Sequence, residues 1–311
     1  MSATAVVFAY HDVGVRCLSV LLAHGVNVAL VVTHEDDPSE NIWFASVGKL
    51  ARTHELEVAT PDDPEQLAGR LARLRPEFIF SFYYRHMLSP AILACATRGA
   101  FNMHGSLLPR FRGRVPVNWA ILKGERETGA TLHEMVAKPD AGRIVDQMAV
   151  PILPDDRAID VFRKVTTAAE IVLDRSLPRL LDGTAELRAQ DLSAGSYYGG
   201  RKPEDGRIDW TRPAREIHDL VRAVAPPYPG AFTSLAGQRL RILRTRLLPQ
   251  AGTPGKPSLH VDAAGQLVVH CADGGRLALL ECDLDGLPFN ARHVGPQVLP
   301  LGEAQPERSY P

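Results

Sequence analysis

Cysteine is scarce in this chain. Only four occur in 311 residues, Cys17, Cys95, Cys271 and Cys282, and no two form a CxxC pair. That spacing argues against a zinc framework or a disulfide-built fold. Three lie in apolar segments and Cys282 just past one, so all four read as buried free thiols. Long hydrophobic runs are also missing. No stretch reaches the roughly 18 uninterrupted apolar residues needed to cross a bilayer. The opening MSATAVVFAY has no basic n-region and no long apolar h-region, so it reads as a first strand rather than a signal peptide. The cytoplasm is the expected location. Neither sign of charge dominates: 35 Lys and Arg stand against 36 Asp and Glu, a net charge of -1. No global basic field draws in nucleic acid or an anionic membrane.

Several motifs are absent too. The loop after the first strand is YHDVGV, with no GxGxxG, which disfavours a nicotinamide dinucleotide. There is no GxxxxGK[ST] phosphate loop. His133-Glu134 opens a HExxH-like word, but position 137 is Ala, so the zinc reading fails. Ser106 sits in HGSLL, which is not a GxSxG elbow. No metal and no NAD are expected.

What remains is 45% hydrophobic and 23% charged, enough for a sizeable core in one large or two ordinary domains. The first half alternates strand and helix patterns. Ala5–Tyr10, Asn27–Thr33, ELEVAT, Glu77–Tyr84 and Ala100–His104 read as strands. Val13–Gly25, WFASVGKLARTH, PEQLAGRLARLR and SPAILACATRG read as helices. This predicts an α/β, Rossmann-like, mostly parallel sheet covered by helices, with ligands at the carboxyl ends of its strands. ETGATLHEMV and GRIVDQMAVPI are two further strands that could pair, and a long helix spans about 155–181 with Val161, Val165, Ala168 and Val172 on one face. Residues 183–203 look like a linker. The last third holds one helix, with Ile217, Leu220, Val221 and Val224 at helical spacing, and then alternating strands that suggest a small OB-like β-barrel. The domain reading is 1–190 for a catalytic domain, 191–203 for the linker, 204–304 for the second domain and 305–311 for a tail.

Asn102 and His104 stand one residue apart at the carboxyl end of a core strand, ahead of the Pro- and Arg-rich LLPRFRGRVP. With Asp140 in KPDAG they make a coherent acyl-transfer set. An Asn amide can donate to a developing oxyanion. An imidazole can move a proton to or from an amine, and a carboxylate can orient that imidazole. Each of the three also has an ordinary structural reading, as a satisfied strand-end His, a turn-forming Asn or a turn Asp. The sequence does not show that Asp140 reaches His104.

FNMHGSLLPRFRGRVPVNWAI, with GATLHEMV and DAGRIV downstream, resembles the 10-formyltetrahydrofolate-dependent formyltransferases. The resemblance spans roughly residues 3–300, and IDWTRPAREIHDLVRAVAPPYPGAF is similar to that family's entry into its small β domain. It implies catalytic roles for Asn102, His104 and Asp140. It also implies folate contacts at His86, Met87, Leu88, Arg114, Val136, Ala137, Lys138, Pro139 and Asp140. Arg110 and Arg112 are weaker candidates for anion recognition. Arg201 and Tyr228 are candidates for a sugar nucleotide. The acceptor divides the family. Members that act on methionyl-tRNA carry a Lys/Arg-rich loop after the second strand. Here that loop is THEDDPSENIW, with no Lys or Arg between Thr33 and Phe44. VVFAYHDVG, THEDDPSE, IFSFYYRHML and VRAVAPPYPGAF are more similar to the members that formylate UDP-4-amino-4-deoxy-L-arabinose in lipid A modification. Such members are commonly fused to a dehydrogenase/decarboxylase domain, which this chain lacks, so no decarboxylase activity is expected. The expected partner is a small-molecule sugar nucleotide, with no nucleic acid and no membrane insertion. The competing readings are a methionyl-tRNA formyltransferase, an enzyme for another amino-sugar nucleotide, and a folate-binding regulator with no turnover.

Overall fold

The computed structural model describes residues 3–249, 252–295 and 297–301. The expected tail, 305–311, lies outside them. Two compact units are present. The first comprises residues 1–116, 127–151 and 162–200, and the second 117–126, 152–161 and 201–311.

The first unit is built on a seven-stranded sheet of β1 (Thr4–Ala9), β2 (Asn27–Val32), β3 (Val58–Ala59), β4 (Phe78–Phe82), β5 (Gly99–His104), β7 (Glu127–Glu134) and β8 (Ile144–Pro151) in the order β3-β2-β1-β4-β5-β7-β8. The five strands up to β5 run parallel, as expected. The last two, ETGATLHE and IVDQMAVP, pair with each other and are antiparallel to their neighbours. Strand order reverses beside β1, so a crevice is expected at the carboxyl ends of β1 and β4.

The pleat separates two apolar layers. Val6, Phe8, Leu30, Val32, Ile79 and Ala100 share a cluster with Leu71 of α3 (Ala68–Leu74), Ile92 of α4 (Pro90–Leu93) and Leu88. The alternate positions Phe78, Phe80 and Phe82 are almost fully buried, with successive rings stacked at 5.8 and 5.7 Å. Each such side chain stabilises the fold by roughly 1.5–3 kcal/mol on burial. Helix α1 (His11–Ala23) ends where Gly25 turns left-handed, at φ 69°.

Two helices are shorter than their patterns predict. α2 (Val47–Thr53) starts only after Ser46, whose hydroxyl accepts from the Lys49 N–H at 3.2 Å, leaving Trp43 and Phe44 outside it. α4 stops at Leu93 because the Thr97 and Arg98 N–H groups bond to Pro76 and Glu77 carbonyls, which turns the chain into β5. The long helix α6 (Ala158–Asp182) buries Val161, Val165, Ala168 and Val172, as its spacing predicts. The stretch read as a linker carries structure. Arg188 exchanges two backbone hydrogen bonds with Ile144, at 2.7 and 2.8 Å, and β9 (Tyr197–Tyr198) pairs in parallel with β6 (Arg112–Gly113).

The second unit holds helix α5 (Pro116–Leu122) from Val117 onward and helix α7 (Ala214–Val224). Its antiparallel sheet contains β10 (Ala231–Leu235), β11 (Gln238–Leu247), β12 (Ser258–Val261), β13 (Leu267–His270), β14 (Arg276–Leu284), β15 (Leu287–Pro288) and β16 (Leu299–Pro300). The path is β10-β11-β14-β13-β12-β16, with β15 folded back on β14, and irregular register around Arg244 curls the sheet. This is the small β domain expected. Ile217, Val221 and Val224 of α7 are buried against it and Leu220 is half-buried. The four cysteines are free, and burial pushes the thiols of Cys271 and Cys282 up to about 12 and about 11. Among the described residues no helix is long and apolar enough to cross a membrane.

Candidate active site

Three of the residues singled out from the sequence meet at the end of β5. Asn102 and His104 share one face of that strand. Its antiparallel partner β7 sets His133 opposite Asn102 and Thr131 opposite His104. The β7–β8 turn then returns Asp140 to the same place. Asp140 has a left-handed backbone, φ 51°, and its Oδ2 accepts from the Gly113 N–H at 2.9 Å. Its Oδ1 lies 3.5 Å from His104 Nδ1 and 3.5 Å from His133 Nε2. Gln190 pins the turn, donating to the Asp140 and Gly142 carbonyls at 3.0 and 2.6 Å.

The hydrogen bonds assign the roles of the atoms. His133 Nδ1–H donates to the Glu134 carbonyl at 2.8 Å, so in the neutral ring Nε2 carries the lone pair. It accepts from Asn102 Nδ2 at 3.1 Å, which fixes the orientation of that amide and uses one of its two hydrogens. The other has no hydrogen-bond partner among the described residues. His104 Nε2–H donates to the Phe111 carbonyl at 2.8 Å. Both nitrogens of His104 therefore face oxygen acceptors. Burial alone would raise the Asp140 pKa. Charge on His104, the His133 side chain and the Gly113 N–H outweigh it and hold the carboxyl well below the usual carboxylate range. The site thus pairs a fixed carboxylate with an imidazole and sets an oriented amide two residues before that imidazole.

The HGSLLPRFRG loop is held from several sides. Ser106 is buried, and its hydroxyl donates to the Arg110 carbonyl at 2.6 Å, so it serves the turn and is not an exposed nucleophile. Thr131 and Gln147 bond to Ser106, Leu108 or each other at 2.6 to 3.2 Å. Leu108–Pro109 is a cis peptide. Phe111 and Val115 are left-handed, at φ 57° and 46°.

Two of the expected folate segments follow β4 and β7. His86 and Met87 are exposed at the end of β4, and Leu88 is buried in the cluster that includes Ala100 and Met135. Val136, Ala137 and Lys138 are exposed, with Pro139 half-buried, on the turn that leads into Asp140. Met87 and Val136 are exposed large hydrophobic side chains. Arg114 is exposed and bonds through its backbone N–H to the Tyr198 carbonyl at 3.0 Å. Arg110 lies over the Phe111 ring at 5.5 Å. Arg112 is buried, and its Nε has no hydrogen-bond partner among the described residues.

At the crevice beside β1, His11 stacks on Phe44 at 3.9 Å. His34 stacks on Tyr84 at 4.2 Å, and with His86, Glu35, Thr60, Pro61 and Asp62 it lines a cavity of about 190 Å³. Burial, with Arg85 nearby, lowers the imidazoles of His11 and His34 to about 3 and about 4; His86 adds to the shift at His34. Arg201 and Tyr228 belong to the second unit. The Arg201 guanidinium lies 5.1 Å over the Trp119 ring and donates to the Asp205 carbonyl at 2.8 Å. Burial raises the Tyr228 phenol, and a hydrogen bond with the Asn118 side chain partly offsets it. Among the described residues no group of three or more His, Cys, Asp or Glu side chains is placed to hold a metal ion.

Sequence reasoning missed His133, seen only as half of a failed zinc motif, and the backbone groups of Phe111 and Gly113. Alternation was the available signal for His133. Thr131 and His133 on one strand match Asn102 and His104 on the other, once the two strands are paired.

The fold recurs in solved structures. The N-formyltransferase from Helicobacter canadensis, solved with folinic acid and dTDP-3-aminofucose, matches with a TM-score of 0.72 at 20% identity, over 93% of this chain and 100% of that one. WlaRD, a sugar 3N-formyl transferase solved in the presence of dTDP and 5-N-formyl-THF, matches at 0.69 and 18% identity, over 89% and 97%. HypX from Aquifex aeolicus matches at 0.63 and 18% identity, over 94% of this chain but only 47% of that one. At these identities the likeness establishes the fold. The sequence itself matches the formyl transferase family over residues 17–177 and the formyl transferase C-terminal domain over 201–291. Every candidate residue from Asn102 to Tyr228 falls inside one of these two spans, and the chain belongs to the formyl transferase family.

Proposed function

We propose that the chain transfers the formyl group of 10-formyltetrahydrofolate to the primary amine of a sugar nucleotide, with UDP-4-amino-4-deoxy-L-arabinose as the acceptor. The observation that carries the transfer chemistry is the convergence of Asn102, His104 and Asp140 at the end of β5. The amine nitrogen attacks the formyl carbon and a carbon–nitrogen bond forms. The free Asn102 N–H donates to the oxygen that becomes negative, a contribution typically worth about 10²–10³ in rate. Turned from the Phe111 carbonyl as the neutral Nδ1–H tautomer, with that hydrogen on Asp140, His104 takes at Nε2 the proton the amine loses and returns it to N10 of the folate as the old carbon–nitrogen bond breaks. Nε2 thus exchanges the Phe111 carbonyl for the reacting nitrogens, while Asp140 stays on Nδ1 and stabilises the imidazolium formed in between. The products are a formamide and tetrahydrofolate. No covalent enzyme intermediate is needed, consistent with a Ser106 hydroxyl committed to a turn.

In this reading His86, Met87, Leu88, Arg114 and Val136 to Asp140 hold the folate, and Arg201 and Tyr228 contact the nucleotide. The solved relatives from Helicobacter canadensis and WlaRD, with a folate and dTDP or a dTDP-amino sugar present, support the class of donor and acceptor. The choice of UDP-4-amino-4-deoxy-L-arabinose rests on the sequence words of the acidic loop and of Ile79–Leu88. The acidic loop also speaks against tRNA. Its Glu40 pairs with Arg85 at 2.7 Å and its Asp36 accepts from the Tyr10 hydroxyl at 2.7 Å, so the charge is built into the crevice wall. The test is mass spectrometry of UDP-4-amino-4-deoxy-L-arabinose after incubation with the protein and 10-formyltetrahydrofolate, with a panel of other amino-sugar nucleotides and charged initiator tRNA in parallel. A gain of one formyl group on the first acceptor is expected. Formylation of another member alone would overturn the acceptor, and folate binding without any product would overturn the enzyme.

A further inference from the structure

We propose that Ser196 is a positioning residue for His104, acting through the left-handed Phe111. The inference rests on the formyl-transfer role proposed for His104. Residues 178–200 lie between the two family matches, and nothing in the sequence marks them as part of a site. Yet residues 195–198 lie along the catalytic loop from Pro109 to Arg114. Ser196 N–H donates to the Pro109 carbonyl at 3.2 Å, Arg112 N–H to the Ser196 carbonyl at 3.0 Å, and Arg114 N–H to the Tyr198 carbonyl at 3.0 Å. The Phe111 and Tyr198 rings stack at 5.6 Å with 19° between their planes. A Cβ on Gly195 would overlap the Pro109 carbonyl, and one on Gly113 the Tyr198 carbonyl, so both glycines are needed for the close approach.

One hydrogen bond in this clamp is made by a side chain. The Ser196 hydroxyl accepts from the Phe111 N–H at 2.9 Å. The carbonyl of that same residue accepts from His104 Nε2 at 2.8 Å. Phe111 sits between these two bonds at φ 57°, a conformation that a residue with a Cβ does not favour. A hydroxyl on its N–H holds it there, and the held residue presents its carbonyl to the imidazole. Two residues on, Gly113 N–H holds Asp140. The clamp therefore sets both oxygens that face His104, and Ser196 sets the one the ring must leave and regain in each turnover.

Ser196→Ala removes the hydroxyl and leaves the backbone ladder. In formyl transfer, kcat is expected to fall about tenfold, the loss of about one hydrogen bond. KM for 10-formyltetrahydrofolate is expected to stay within about twofold, and Ser196→Thr is expected to restore most of kcat. In ¹⁵N-histidine NMR spectra of the resting protein, the His104 Nε2–H signal, assigned by its loss in His104→Gln, is expected to shift or broaden in S196A and to return in S196T. Tyr198→Leu, which removes the ring stack, is the second route should S196A not fold, and it is expected to move the same signal. Ser193→Ala, on an exposed turn of the same stretch, is expected to change neither. An unchanged or increased kcat in S196A overturns the proposal, as does a lower kcat with an unmoved His104 signal. If the wild-type protein formylates no acceptor, the functional reading fails, and the NMR result still decides whether Ser196 positions the ring.

Discussion

Replacing Asp140 with Asn tests the electrostatics of the proposed reaction most directly. The substitution keeps the size of the side chain, and the amide oxygen can still accept from the Gly113 N–H, now 2.9 Å from Oδ2. What it removes is the negative charge 3.5 Å from His104 Nδ1. Two unit charges at that distance interact by about 5 kcal/mol at an effective dielectric near 20. Positive charge grows on His104 as the amine gives up its proton, so the loss falls on the transition state. About 1.4 kcal/mol corresponds to a tenfold change in rate. The amide dipole left in place recovers part of that energy, so a fall in kcat of about 10³ is expected rather than the full amount. KM for the formyl donor should change far less, because the substitution keeps the size of the side chain and leaves the other expected folate contacts on this turn, Val136 to Pro139, in place. Steady-state kinetics followed by tetrahydrofolate release would measure both, with a thermal melt to show that the variant is folded. A folded Asp140→Asn protein retaining more than a tenth of wild-type kcat would refute the assignment of Asp140 as the charge behind His104.

Other perturbations bear on separate parts of the structure. His133→Phe removes the acceptor that orients Asn102, and kcat should fall about tenfold or more while the donor KM holds; an unchanged kcat would make His133 a packing residue only. Gly113→Ala places a Cβ on the Tyr198 carbonyl at a backbone of φ 97°; it should lower the melting temperature and the activity together, and a variant as stable as wild type would contradict the packing described. His34, lowered to about 4 by burial and the positive charges of His86 and Arg85, binds its proton in the unfolded chain before the folded one does. Its stabilising effect is complete above pH 6.5, the ordinary value, and is lost as pH falls toward about 4, so His34→Asn should show a shallower loss of melting temperature across that window. Asp140 works lower on the scale. Its folded pKa is depressed, so its contribution is complete above the usual carboxylate range and is lost as pH falls below it; thermal melts of wild type and Asp140→Asn should converge there.

The alternating pattern made the sheet domain legible, and the reasons are local. AVVFA, NVALVV and FIFSF are short, apolar and β-branched or aromatic, and each is followed by an amphipathic run or a polar loop. The helix lengths were less legible, because they are decided at a distance. Nothing in SPAILACATRG itself announces that Thr97 and Arg98 will bond to Pro76 and Glu77, 21 residues earlier. The stretch 183–203 misled for a similar reason. Its Gly, Ser and Tyr content is that of a linker, and the same small residues are what allow Gly195 to lie against Pro109.

The site shows the same division between local and distant signals. Asn102 and His104 could be picked out because polar side chains at alternate positions on a buried strand need a reason, and Asp140 in KPDAG because an imidazole doing such work needs a carboxylate. Their partners could not be found that way. Phe111 contributes a carbonyl and Gly113 an N–H, groups that every residue except proline carries in full, so no residue type marks them. His133 is distinguishable by type, but its role depends on antiparallel pairing across the 22 residues between His104 and Glu127, a topological fact rather than a compositional one. The groups that do the proposed chemistry are thus written in side chains. The groups that aim them are written in backbone conformation, at Phe111 and Asp140 above all, where the left-handed turns bring a carbonyl and a carboxylate to the two nitrogens of one imidazole. A sequence in which the three polar residues are kept and that backbone is relaxed should fold, bind folate and turn over slowly.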